Sequence, residues 1–245
     1  MSRVLAFVYG IAAYVLFLGV FLYAIGFVGN FAVPKSIDSG PMAPFLPSLL
    51  TDAILLGLFA VQHSVMARPE FKRWWTKIVP VAIERSTFVL LSSLILALLY
   101  WKWQPLPKVL WDIQGAAGTY LMWGLFALGW LIVLLSTFMI NHFDLFGLRQ
   151  VYLNLRSAQY SHLKFTTLGL YRLVRHPIML GFIIAFWATP RMSVGHLFFA
   201  IMTTGYVLVA LRLEERDLVT YHGEDYIQYK KQVPMLVPLG GGKRD

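Results

Sequence analysis

Cysteine is missing altogether from the 245 residues. That excludes disulfides, thiolate metal sites and a cysteine nucleophile. Charge is scarce as well: 13% of the residues are Asp, Glu, Lys or Arg, where ordinary soluble domains carry about 25%. The chain has no G-x-G-x-x-G behind a strand, no P-loop and no H-E-x-x-H, which argues against a soluble nucleotide-binding fold or a zinc protease. A G-x-S-x-G nucleophile elbow is absent too. The histidines at 63, 142, 162, 176, 196 and 222 are scattered, with no i, i+4 pair to suggest a metal.

What is abundant is apolar surface. Hydrophobic residues make up 58% of the chain and the mean hydropathy is +0.64, far above the range of a soluble domain. A membrane-crossing helix needs about 20 mostly apolar residues. Segments near 4–29, 49–66, 87–101 and 116–140 approach or meet that length. The first has no cleavage pattern and is too long for a signal peptide, so it is expected to remain as an anchor. A fifth apolar region, 178–211, is interrupted by "TPRMSVG" at 189–195, predicting a hairpin of one short and one full helix or a re-entrant pair. The expected architecture is all-α and polytopic, with five to six membrane helices and a polar C-terminal helix and tail. It divides into an N-terminal bundle (1–140) and a C-terminal region (141–245) joined in one integrated domain.

The basic residues orient this layout. A net charge of +9 would suit nucleic acid, but the Lys and Arg lie in short blocks between apolar runs. With the N-terminus cytoplasmic and 178–211 a hairpin, 17 of the 21 Lys and Arg fall on the cytoplasmic side, as the positive-inside rule requires. Only Lys35, Lys102, Lys108 and Arg191 face the other way. Both termini are expected in the cytoplasm, with the protein in the cell (inner) membrane. Its expected surroundings are the lipid bilayer, with no nucleic acid and no protein partner implied.

Polar residues at membrane depth are costly and point to function. Arg175-His176-Pro177 precedes an apolar run, and Pro177 suits the first helical position. Two basic side chains at a helix N-terminus suit a carboxylate or phosphate; equally, Arg175 would snorkel to headgroups and His176 would cap. In "LRLEERDL" (211–218), Arg212 and Glu215 are three apart and share a helix face. The paired carboxylates Glu214 and Glu215 would accept hydroxyl or ammonium donors, or lie on a solvated helix. "QHSVMAR" (62–68) sends Gln62, His63 and Ser64 in three directions about 100° apart, so at least one faces protein. In "NHFDLFGLRQVY" (141–152), Asn141 would end a helix and Gly147 supply a turn. His142, Asp144, Arg149 and Gln150 sit there between large apolar residues, as in a folded polar loop.

"GLYRLVRHP" (169–177), the Glu-Glu at 214–215 and "GEDYIQYKKQVP" (223–234) resemble, in order and spacing, the isoprenylcysteine carboxyl methyltransferase superfamily. "QHSVMARPEFKRWW", "ERSTFVLL" and "NHFDLFGLRQVY" extend the resemblance, in its nurim-like branch, to most of the chain. One departure is Met179, where the superfamily carries an aromatic residue. The resemblance implies a multi-pass enzyme that uses S-adenosyl-L-methionine to methylate a small thiol, methanethiol, giving dimethyl sulfide. It implies a cofactor site of His162, Tyr171, Arg175, His176, Glu214, Glu215, Tyr226 and Tyr229. No metal is implied.

A small alkyl thiol is a weak acid, so a base near the transferred methyl is expected, with His63, His142 and Asp144 as candidates. Gln62, Asn141 and Gln150 are the polar residues expected near the thiol. The alternatives are methylation of a larger lipophilic acceptor such as a prenylcysteine carboxylate, and a non-enzymatic nurim-like membrane protein.

Overall fold

The computed structural model describes residues 2–161 and 167–238. Ten α-helices occur among them: α1 (Arg3–Gly29), α2 (Phe45–Ala67), α3 (Pro69–Trp75), α4 (Val81–Lys102), α5 (Ala116–Ile140), α6 (His142–Leu145), α7 (Leu148–Leu155), α8 (Pro177–Trp187), α9 (Val194–His222) and α10 (Glu224–Gln232). A 3₁₀ turn covers Gly169–Arg172, and β1 (Val109–Asp112) pairs with β2 (Arg191–Ser193) in a two-stranded ribbon. Among the described residues, five helices are long and apolar enough to cross a membrane: α1, α2, α4, α5 and α9. The protein is therefore an all-α, polytopic membrane protein.

Helix boundaries follow local chemistry more than hydropathy. α2 starts at Phe45, ahead of its apolar run, because Pro44 and Pro47 suit a first turn whose N–H groups have no helical partner. α4 starts at Val81 behind Pro80, taking in the charged Glu84 and Arg85 before its apolar stretch. α3 was not foreseen. Pro69 opens it, Glu70 lies in its first turn and Lys72 and Arg73 in its last, an arrangement matched to the helix dipole. α8 has only 11 residues. At about 1.5 Å per residue it spans roughly half of a hydrocarbon core about 30 Å thick.

The chain forms two compact units, each assembled from separate stretches. The first comprises Met1–Lys108, His142–His162 and Ser193–His196. Here α1 presents a small-residue stripe, Ala6, Gly10 and Ala13, all buried. A Cβ on Gly10 would sit 2.6 Å from Val151 Cγ2, so glycine lets α7 approach the α1 backbone. Val151 itself is fully buried in a cluster with Ala6 and Ile83. A second cluster joins Met66, Phe88 and Val89, with Phe17 and Phe146 packed against it. Asp52, fully buried on α2, accepts from the Gln104 backbone N–H at 2.8 Å.

The second unit comprises Val109–Asn141, Leu163–Met192 and Leu197–Asp245. α5 and α8 meet through glycines: a Cβ on Gly181 would lie 2.6 Å from the Gly129 carbonyl oxygen, and one on Gly129 would lie 2.6 Å from the Ala185 nitrogen. Such close backbone approach is how membrane helices gain van der Waals contact without a hydrophobic drive. α8 is tied to α9 by Trp187 Nε1, which donates to Thr204 Oγ1 at 2.9 Å. The helix leaving the last span does not run on unbroken. Gly223, at φ 57°, ends α9 and lets α10 begin in a new direction.

Candidate functional site

In the second unit, Glu215 is the centre of a charged cluster. α9 carries it, and its side chain is 5% exposed. Arg175 Nε donates to Oε1 at 2.6 Å, His176 Nε2 lies 3.2 Å from the same oxygen, and Lys230 Nζ reaches Oε2 at 3.1 Å. Glu214 approaches the other ring nitrogen, His176 Nδ1, at 4.0 Å, so the imidazole stands between the two carboxylates. Pro177 does open α8, but His176 makes no side-chain cap. Its ring is used on Glu215 instead.

Arg175 does not snorkel away either. Beyond Glu215, its Nη1 donates to the carbonyls of Lys230 at 3.1 Å and Val233 at 2.5 Å. The backbone N–H groups of Arg175 and His176 donate to Pro234 and Met235 at 2.9 and 3.2 Å. These two N–H groups, on the residues just before α8, are taken by the C-terminal tail. Arg212 is not paired with Glu215 as their spacing suggested, because Glu215 is turned to Arg175 and Lys230. Among the described residues neither Arg212 nor Arg216 forms an ion pair. Both line an open cleft of about 480 Å³, together with Glu215, Val219, Thr220 and Lys230.

Tyrosines border the cluster. Tyr229 donates its phenol to the Tyr171 carbonyl at 2.5 Å, and Tyr171 donates to the Ser136 carbonyl at 3.4 Å. Tyr226 and Tyr229 are buried, with ring centroids 5.8 Å apart. Burial pushes the Tyr229 phenol up to about 12, Arg175 opposing and Glu215 reinforcing. Burial likewise raises Tyr171, helped by Glu214. Tyr229 and Tyr171 therefore remain neutral donors at physiological pH. His162 lies outside the described residues.

Apart from Asn141, the remaining candidates lie in the first unit, in two groups. His63 is stacked on Phe59 with centroids 5.2 Å apart, and Phe88 lies at 4.8 Å. Its Nδ1 is 3.3 Å from Ser92 Oγ, and Ser92 also reaches Gln62 Oε1 at 3.2 Å. Gln62 Nε2 is directed to Met66 Sδ at 3.1 Å. The second group is the loop after α5. His142, buried, lies with Nε2 2.8 Å from the Tyr14 hydroxyl, and burial holds its pKa below the usual histidine range. Asp144 accepts from Arg149 at 3.0 Å, from Gln150 at 3.4 Å and from Tyr160 at 3.3 Å. Gly147, at φ 87°, supplies the turn into α7, and a Cβ there would lie 2.7 Å from Ser86 Oγ. Asn141 caps α5, its N–H donating to the Thr137 carbonyl at 3.1 Å, and belongs to the second unit.

Lys230, Arg216, Ser92, Tyr14 and Tyr160 were not foreseen as site residues. Arg216 had a signal in its i, i+4 spacing from Arg212, and Ser92 had one as a hydroxyl inside an apolar span. The contacts of Lys230, Tyr14 and Tyr160 span long sequence separations that no local pattern encodes. Among the described residues, no group of three or more metal-ligating side chains is assembled.

Comparison with known proteins places this arrangement. Residues 53–213 match the family described as NnrU protein. The methanethiol S-methyltransferase of Mycobacterium tuberculosis is 57% identical, covering 97% of this chain and 98% of its own length. That of Crocosphaera subtropica is 52% identical, covering 99% and 95%. Mouse (Mus musculus) nurim is 32% identical over 71% of this chain and 69% of its own. No solved structure matches the chain. The chain belongs to the NnrU family, together with these methanethiol S-methyltransferases.

Proposed function

We propose that this protein transfers a methyl group from S-adenosyl-L-methionine to methanethiol, releasing dimethyl sulfide. The observation that carries the reading is near-full-length identity above 50% to proteins named for that activity. The residues fit the donor: its carboxylate, ammonium and ribose hydroxyls call for cations beside carboxylates, and the cleft is lined by Arg212, Arg216, Lys230 and Glu215. When bound, the donor supplies an electrophilic methyl on a sulfonium. Arg212, Arg216 and Lys230 bind the carboxylate, while Glu214 and Glu215 accept from the ammonium or ribose. Arg175 and His176 are part of the same site, through their hold on Glu215 and Lys230. Tyr171, Tyr226 and Tyr229 pack the nucleoside.

The thiol must lose its proton as its sulfur bonds to the methyl carbon. Of the three candidate acceptors, Asp144 is committed to Arg149, Gln150 and Tyr160, and His142 Nε2 to Tyr14. His63 Nε2 makes no hydrogen bond among the described residues, which leaves it the least committed of the three candidate acceptors. Both termini are assigned to the cytoplasmic side of the cell membrane, on the distribution of Lys and Arg.

The direct test supplies methanethiol to cells producing the protein and measures dimethyl sulfide in the headspace. Production above the empty-vector level is expected, and its absence with the protein verified in the membrane overturns the acceptor. Isothermal titration with S-adenosylhomocysteine tests the cofactor separately.

A further inference from the structure

We infer that Lys230 is an exchangeable ammonium, tethered to the protein, that makes the cleft select a ligand with a carboxylate and an ammonium side by side. The inference rests on the proposed binding of S-adenosyl-L-methionine in this cleft and adds how its amino-acid end is recognised. In the structure Lys230 Nζ holds Glu215 Oε2 at 3.1 Å. When the donor's ammonium takes that oxygen, Lys230 turns to the donor's carboxylate. One internal ion pair is thereby exchanged for two intermolecular ones. Every protein group involved lies in the second unit.

The three partners of Glu215 are not equivalent. Arg175 and His176 share Oε1, and their side chains are buried. Among the described residues Oε2 is held only by Lys230, whose side chain is 37% exposed and lines the cleft beside Arg212 and Arg216. Lys230 can therefore leave without stranding a charge in the interior, which Arg175 cannot. Its backbone stays behind, because the Lys230 carbonyl accepts from Arg175 Nη1 at 3.1 Å and the adjacent Tyr229 is bonded to the Tyr171 carbonyl. Only the flexible four-carbon stem has to turn. An ammonium brought to Oε2 with Lys230 still in place would set two positive charges against one oxygen, and they repel. Arg212 and Arg216, which form no ion pair among the described residues, draw the carboxylate into the same cleft, where the released lysine meets it. A ligand with the ammonium alone gives Lys230 no new partner. One with the carboxylate alone leaves Oε2 bare if Lys230 moves.

The test measures affinities by titration calorimetry on the full-length protein in detergent, as wild type, Lys230→Met, Lys230→Gln and Lys231→Met. The probes are S-adenosylhomocysteine, its decarboxylated analogue, which keeps the ammonium, and its deaminated analogue, which keeps the carboxylate. Wild type should bind each analogue at least about tenfold more weakly than S-adenosylhomocysteine, the scale of a lost charge-assisted hydrogen bond. In Lys230→Met and Lys230→Gln the two ammonium-bearing probes should move in opposite directions. S-adenosylhomocysteine should weaken about tenfold for want of a carboxylate partner. The decarboxylated analogue should tighten about two- to fivefold, because a partly exposed ion pair no longer opposes it. Lys231→Met, at an exposed neighbour outside the cleft, should leave all three affinities at wild type. A fall for both ammonium-bearing probes in the Lys230 variants makes the lysine a fixed part of the site and overturns the exchange, and so does no change in either. Both of those outcomes leave the cofactor reading intact as long as wild type binds S-adenosylhomocysteine. Absence of that binding overturns the cofactor reading, and this inference with it.

Discussion

Glu215 stands among Arg175, His176 and Lys230, whereas the partners of His63 are a hydroxyl and two aromatic rings: Ser92, Phe59 and Phe88. Both are polar sites withdrawn from solvent, Glu215 fully and His63 partly, yet they answer the cost of burial in opposite ways. The charged cluster answers it by pairing, and cations remain in excess once Arg212 and Arg216 are counted. An excess of that sign is suited to a ligand bearing a carboxylate. The His63 site avoids the cost by carrying no formal charge until a proton arrives. On the proposed reading, the first arrangement is suited to a ligand that brings a countercharge, and the second to a group that gains a proton only in turnover.

The comparison breaks most visibly at Glu215. Glu215→Ala leaves Arg175 buried without its carboxylate, and breaking a buried pair costs about 3–5 kcal/mol. Thermal or denaturant unfolding in detergent should show a loss of that order, with cofactor binding lost too. Glu214→Ala, at a half-exposed position, should show little loss of stability.

A smaller effect separates binding from folding within the charged cluster. Arg212 and Arg216 have no ion-pair partner among the described residues, so Arg212→Ala/Arg216→Ala should leave stability near wild type. Each charge-assisted hydrogen bond is worth about 1.5–3 kcal/mol, so S-adenosylhomocysteine affinity should fall at least about tenfold by titration calorimetry. Unchanged affinity would move the cofactor carboxylate elsewhere.

The smallest effect lies with the second neutral histidine. Burial lowers the pKa of His142, so protonation is harder in the folded protein than in the unfolded chain. The stability this contributes is fully present above the unfolded histidine value and is lost as pH falls through the lowered folded one. His142→Gln should flatten that acid-side decline, read from melting temperature against pH, with a difference of about 1 kcal/mol, the scale of one hydrogen bond.

The spans were legible because the bilayer imposes a length that apolar runs must meet, and Arg175 and Glu215 stood out because membrane depth makes charge expensive. What local spacing missed were partners chosen by tertiary contact. Arg212 and Glu215 share a helix face, but α10 and the residues before α8 supply nearer cations. Ser92 looked like one hydroxyl among apolar residues, and its meaning depends on a second helix bringing Gln62 and His63 to it. β1 and β2, four and three residues long, are too short for alternation to declare them.

The tail has a consequence for how the protein is made. Arg175 and His176 donate their backbone N–H groups to Pro234 and Met235, some sixty residues later in synthesis. Until residues 234 and 235 have been made, Arg175 and Glu215 must enter the membrane region without this strap. A chain cut before Pro234 would insert and be retained in the membrane yet lack the strap that closes over Arg175 and His176.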